Sequence, residues 1–311
     1  MKRTILFAVL LSLLTVSACT SNKAPERQGW YNGSDGPLYG DVKSVTFIEY
    51  KLTDKFGEII KDGIEDKKVY KFNQQGNVIE RAYYNSDGSL SLKDLYKYDS
   101  KGNKIEEAKY NSDGSLWWKY LYKYDSQGNQ IERVWYTSDG SLNHKYLYKY
   151  DSKGNKIEEA SYNSYGSLWE KYLYKYDSKG NLIEVARYNS DGSMGWKYLY
   201  KYDSKGNKIE EAYYNSDSSL DRKDLYKYDS KGNLIEEANY NIYSSLDRKY
   251  LYKYDSKGNL IEKAGYKSDG SLRWKDLYKY DSQGNWTEQT RYEGEIMKPT
   301  SMEVREIVYR K

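Results

Sequence analysis

The chain has 311 residues, 31% of them charged, a formal net charge of +4 and a mean hydropathy of −1.01. Aromatic residues reach 16%, with 39 tyrosines, which excludes a disordered chain, because disordered sequences are poor in large rings. The small net charge, falling to +2 once Lys2 and Arg3 are removed, excludes a nucleic-acid footprint, and Cys19, the single cysteine, excludes an intrachain disulfide.

Residues 1–18 read as a signal peptide. Lys2 and Arg3 supply its charged start, and the apolar stretch from Ile5 to Val16 is too short for a stable membrane span. The run Val16-Ser17-Ala18-Cys19 resembles a bacterial lipobox, which implies acylation of Cys19 and a lipid anchor. The expected location is therefore the bacterial cell envelope, outside the cytoplasm. Thr20 follows the cysteine with no acidic residue there, so the outer membrane, at its surface or periplasmic face, is expected. Residues 19–40, rich in Ser, Asn, Gly and Pro, read as a flexible tether. Residues 41–71 read as an N-terminal capping hairpin: a strand from Val42 to Tyr50, a turn over Asp54–Gly57 and a return from Glu58.

Residues 72–292 carry a unit that recurs every 26 residues. Its marking aromatic falls at Phe72, Tyr98, Tyr124, Tyr150, Tyr176, Tyr202, Tyr228, Tyr254 and Tyr280. Each unit offers two strands and two turns. The first turn, Asp-Ser-Lys-Gly-Asn or a close variant, keeps its glycine in every copy, from Gly76 to Gly284. A type I turn closed by a residue with positive φ explains that glycine, and the leading Asp is expected to bond its own turn backbone. One carboxylate per turn falls short of the six or more oxygens that calcium takes. The second turn, Asn-Ser-Asp-Gly-Ser, reads as looser, because serine replaces its glycine at Ser218 and Ser244. Residues 293–311 read as a degenerate C-terminal cap.

A fixed period means a repeat architecture. The expected fold is all-β: tandem 26-residue β-hairpin repeats forming one long, twisted or coiled antiparallel meander sheet, with capped ends. Setting Lys109 opposite Leu116 places Glu106 opposite Lys119, and the same offset gives an acid–base pair in every copy. One face then gathers Tyr96, Tyr98, Ile105, Leu116, Tyr120 and Tyr122, and the other holds Ala108, Tyr110 and Leu121 among Lys and Glu.

The Tyr-Asp-x-x-Gly-Asn-x-Ile core, repeated after a Tyr-rich strand over residues 70–292, resembles the YD/RHS repeat family. More loosely, the chain is similar to MORN-like hairpin repeats. The YD/RHS resemblance implies a bacterial surface or secreted protein in which β-hairpins wind into a spiral sheet, and carbohydrate binding in some members.

Comparison of copies within the chain separates scaffold from variation. The two residues after the Leu of turn two change freely, as does the residue before the second Tyr of each repeat. Six of the eight tryptophans fall there. The candidate binding residues are Trp117, Trp118, Trp135, His144, Trp169, Trp196, Arg222, Arg248 and Trp274. Tryptophan and tyrosine beside Asp, Asn and Arg suit sugar rings or a protein partner. The expected function is a membrane-anchored binding or adhesion module for a protein or glycan; the alternative is a structural envelope scaffold. No catalytic residue, cofactor or metal is expected. His144 is the only histidine, serines belong to the turns, and no phosphate-cradling glycine loop is present.

Overall fold

The computed structural model describes residues 38–310, apart from 57 and 295. The signal peptide, Cys19 and most of the tether lie outside the described residues.

Tyr, Leu, Ile and Val alternate with Lys and Glu between the turns, the pattern of a strand with two unlike faces. Twenty strands result, all antiparallel to their neighbours in the chain, from β1 (Val42–Lys55) and β2 (Glu58–Phe72) to β20 (Lys298–Tyr309). A typical repeat comprises β5 (Lys104–Asn111) and β6 (Leu116–Tyr124).

The two ends of the meander meet. β1 pairs with β20 over nine residues, Phe47 facing Arg305 and Thr46 facing Glu306. The sheet is thus a closed barrel, and the terminal hairpins expected to cap two open ends are paired with each other instead. Closure leaves no free sheet edge at the seam.

Both turns have one geometry. In turn one Gly102 N donates to Asp99 O (3.1 Å) and Asp99 N to Asn103 O (2.9 Å); in turn two Gly114 N donates to Asn111 O (3.0 Å) and Asn111 N to Ser115 O (2.9 Å). The turn-one glycines sit at φ of 83–90°. As expected, the Asp99 carboxylate bonds its own turn, accepting from Lys101 N and Asn103 N. Turn two is as regular as turn one, and Ser218 and Ser244 keep it at φ of 66° and 56°.

This geometry corrects the register across turn two. Tyr110 faces Leu116, the strand bulges at Trp117, and Lys109 then faces Trp118 and Glu106 faces Leu121. The sequence reading closed the turn one residue early and had no bulge, so every pair beyond it was displaced. Glu106 instead faces Lys97 across turn one, with Nζ 2.9 Å from the carboxylate. The same pair recurs nine times, from Lys71–Glu80 to Lys279–Glu288, at 2.6–2.9 Å. The expected pairs Glu132–Lys145 and Glu236–Lys249 persist as diagonal contacts at 2.7 and 2.8 Å.

The corrected register fixes the tilt. Pairing runs from Glu106 to Leu121 to Val134, two residues past Glu132, the next copy of Glu106. The repeats therefore slide one residue per strand, roughly 3.3 Å along for each 4.8 Å across, which tilts the strands by about 35°. A round barrel of twenty such strands is about 35 Å across between backbones, larger than the 16–18-stranded barrels that hold aqueous channels.

The inner wall carries Tyr96, Tyr98, Glu107, Lys109, Trp118, Tyr120 and Tyr122; the outer wall carries Lys97, Glu106, Ala108, Lys119 and Leu121. The expected two faces are present, apart from the bulge residue Ile105 and the turn-flanking Leu116. Outer Lys97 is 67% exposed, whereas Asp94 on the inner wall is 0% exposed. Tyrosine hydroxyls stitch one repeat to the next: Tyr124 donates to Lys104 O at 2.8 Å, and the bond recurs from Tyr98 to Tyr280.

A compact core fills the inner wall at the seam, where Leu38, Val45, Phe47, Tyr70, Phe72 and Trp286 are buried together. The Arg305 guanidinium lies between the Phe47 and Trp286 rings, at 4.8 and 3.6 Å. Tyr39 exchanges backbone bonds with the Asn285 side chain at turn one of the last repeat, and Arg310 bonds Phe72 O and Asn73 O. Residues 38–41 and 310 are thus placed at the turn-one mouth.

Candidate functional site

The freely varying positions face one another. Across turn two, Lys109 pairs with Trp118, Trp135 with His144, Ser161 with Glu170, Arg187 with Trp196, Tyr213 with Arg222, Asn239 with Arg248 and Gly265 with Trp274. These pairs form a belt on the inner wall, one level inside the turn-two mouth. The two mouths differ: the turn-one mouth repeats one short sequence, and the turn-two mouth is ringed by variable side chains.

Of the nine candidate residues, Trp118, Trp135, His144, Trp196, Arg222, Arg248 and Trp274 stand in this belt. Trp117 and Trp169 occupy the bulge next to it and are 49% and 57% exposed. The bulge explains the split: of the two variable residues after Leu, the second returns to the ladder and the first does not.

Between β6 and β13 (Lys208–Asn215) aromatic rings gather in two groups along the belt. Trp118 packs edge-on to Tyr120 at 5.1 Å, Tyr120 meets Trp135 at 5.8 Å, and His144 stacks between Trp135 (5.6 Å) and Tyr146 (6.3 Å). Trp169 meets the His144 ring edge-on at 6.3 Å. Farther round, Trp196 contacts Tyr172, Tyr198 and Tyr213 at 5.2–6.2 Å. Trp274 lies flat across Gly265, where a Cβ would come within 2.6 Å of the indole. His144 is hydrogen-bonded to Asn143.

Three carboxylates missed by the sequence reading also stand here. Asp94, Asp224 and Asp276 replace the Tyr of Lys-Tyr-Leu and are 0%, 5% and 2% exposed. Each has a partner: Asp94 takes Arg81 at 2.7 Å, Asp224 accepts from Asn239 at 2.8 Å, and Asp276 is held by two Arg291 nitrogens at 2.8 and 2.7 Å. The signal was present in the sequence as three Lys-Asp-Leu copies among the Lys-Tyr-Leu ones. Burial pushes the Asp224 carboxyl up, while Lys104 beside Glu107 overcomes the cost of burial and holds that carboxyl down. Among the described residues no group of three or more His, Cys, Asp or Glu side chains is placed to hold a metal ion. The wall offers flat apolar rings interrupted by paired charges, a surface for stacking and hydrogen bonding.

No family profile and no curated protein matches this sequence. Among solved structures the chain is similar to a TcdB2–TccC3 assembly, at 13% identity and a TM-score of 0.41, over 85% of this chain and 16% of that one. It is also similar to a porin-like protein from Bacteroides uniformis, at 10% identity and a TM-score of 0.38, over 86% of this chain and 98% of that one. At these scores the barrel is defined by its own strand pairing.

Proposed function

We propose that this protein is a YD/RHS-like bacterial lipoprotein, anchored through Cys19 at the cell envelope, whose barrel binds a glycan chain along the aromatic belt of its inner wall. The observation that carries the reading is the pairing of the variable positions into one inward-facing belt. Residues that merely covered a sheet would have no reason to gather their variation on one level of one wall. Stacked Trp and Tyr rings match the apolar faces of sugars, and the interleaved Arg, Asn and Asp supply hydrogen bonds to hydroxyls.

The belt's position favours a chain-like ligand. Its rings face a lumen, and an extended polymer reaches them more easily than the surface of a folded protein does. Edge-to-edge assembly, the route expected for the scaffold alternative, has less support, because β1 and β20 pair with each other. The outer wall supports a barrel that sits on a membrane rather than in it: eight lysines, from Lys97 to Lys279, are 64–72% exposed there. Lysine on a lipid face costs about 2–4 kcal/mol at mid-bilayer. The described chain enters the barrel at residues 38–41, beside the turn-one mouth, which supports an anchor on that side with the variable mouth away from the lipid.

Glycan-array binding by the mature chain tests the reading. Replacing Trp135, Trp196 and Trp274 with Ala is expected to cost at least about 2 kcal/mol of binding per anchoring ring, with the far-UV β signal unchanged. Binding that survives all three replacements, or binding only to extended peptides, contradicts it.

A further inference from the structure

Arg133 differs from four other arginines of the inner wall. Arg81, Arg187, Arg222 and Arg291 each have a carboxylate within 2.6–3.2 Å. Arg133 has no carboxylate partner within 4.0 Å among the described residues. Its guanidinium is held between the Tyr120 and Tyr146 rings, at 5.2 and 4.0 Å from their centres. The two inner-wall glutamates on either side are already engaged. Glu107 takes Lys104 and the Tyr122 hydroxyl, and Glu159 takes Lys156 and the Tyr174 hydroxyl. Glu170, two strands beyond Arg133's partner Tyr146, is matched by Arg187.

The surroundings repeat the pattern of an unmet donor. Arg133 Nε, Trp135 Nε1 and Ser161 Oγ are buried with no hydrogen-bond partner in the protein. Arg133 and Trp135 lie two residues apart on one strand and one wall, and Ser161 pairs with Tyr146, which itself faces Arg133. Ser161 is 2% exposed. All three are donors, and one belongs to a fixed cation with a planar fork suited to a carboxylate. A guanidinium held between two rings with no carboxylate beside it is suited to an acid group brought in from the lumen.

Resting on the glycan-binding reading, we infer that the Arg133–Trp135 corner takes a carboxylate of the bound chain, so that the ligand class is an acidic, uronate-bearing polysaccharide. The rings of Tyr120, Trp135 and Tyr146 hold the sugar, and the guanidinium meets the acid group.

The test uses the full mature chain in detergent with two probes, tetragalacturonate and neutral galactotetraose. Indole ¹H–¹⁵N shifts of Trp135 and quenching of tryptophan fluorescence report binding. The wild-type protein is expected to favour the uronate at least tenfold at low salt and to shift the Trp135 indole resonance. Arg133→Gln is expected to erase that preference, while Arg133→Lys restores part of it. Trp196→Ala, set apart from the corner, is expected to weaken both probes alike. Equal affinity of the wild-type protein for the two probes, or a preference that survives Arg133→Gln, overturns the acid-group assignment and leaves glycan binding standing. Failure to bind either probe overturns both.

Discussion

At the scale of single residues, turn two separates what a glycine does from what its position demands. Six copies place Gly there at φ of 80–85°, and the other two hold the same backbone with Ser218 and Ser244. The turn bonds are unchanged, with Ser218 N 3.0 Å from Asn215 O and Ser244 N 2.9 Å from Asn241 O. Left-handed backbone costs a residue bearing a Cβ about 1 kcal/mol. Ser218→Gly and Ser244→Gly are each expected to stabilise the barrel by up to that amount, read as a higher urea midpoint with an unchanged slope. The site at this scale was partly legible. Trp135, Trp196 and Trp274 were found from variation between copies, because large rings at changing positions are conspicuous. Asp94, Asp224 and Asp276 were passed over, because a Tyr-to-Asp exchange looks like ordinary surface tolerance until a closed wall buries it. That Arg133 lacks a carboxylate partner had no sequence signal, since it depends on where Lys104 and Lys156 send their charges.

At the scale of elements, period and turn chemistry made the hairpins legible, and the bulges hid the register. One extra residue beside each turn moves every later pair, so the acid–base ladder was assigned to the wrong partner strand. Opposite charge alone decided nothing: each Glu has a Lys on both sides, and only the position of the bulge selects Lys97 over Lys119 for Glu106. The tyrosine ladder gives this level its own test. Burial pushes the hydroxyls of Tyr98, Tyr124, Tyr150, Tyr202 and Tyr280 up to about 12, against about 10 in an unfolded chain. A raised folded value means that folding favours the neutral phenol. Their contribution to stability is therefore complete below pH 10 and is lost as pH rises from 10 through 12. Absorbance at 295 nm is expected to show these phenols ionising together with loss of the β signal above pH 11. Their ionisation near pH 10 in a folded barrel would contradict the ladder.

At the scale of the molecule, the sequence was silent on closure. Each hairpin pairs with its neighbours whether the sheet ends, coils or closes, and the local pattern is the same in all three. Closure depends on the sum of twenty small tilts and on the two terminal strands, β1 and β20, being long enough to meet. Here that sum is one residue of slide per strand across the repeats, and the seam is sealed by the core around Phe47, Trp286 and Arg305. Everything proposed for the lumen follows from this seam, since an open sheet would turn the belt from an inner wall into an exposed strip. The direct measurement is a disulfide across it, with cysteines introduced by Thr46→Cys and Glu306→Cys in a Cys19→Ser background. The two residues are facing partners in β1 and β20, and antiparallel partners bring Cα atoms within about 5.5 Å, inside disulfide reach. The closed barrel predicts a monomer that oxidises internally and retains no titratable thiol; a folded monomer that keeps both thiols, or cross-links only between molecules, would contradict it.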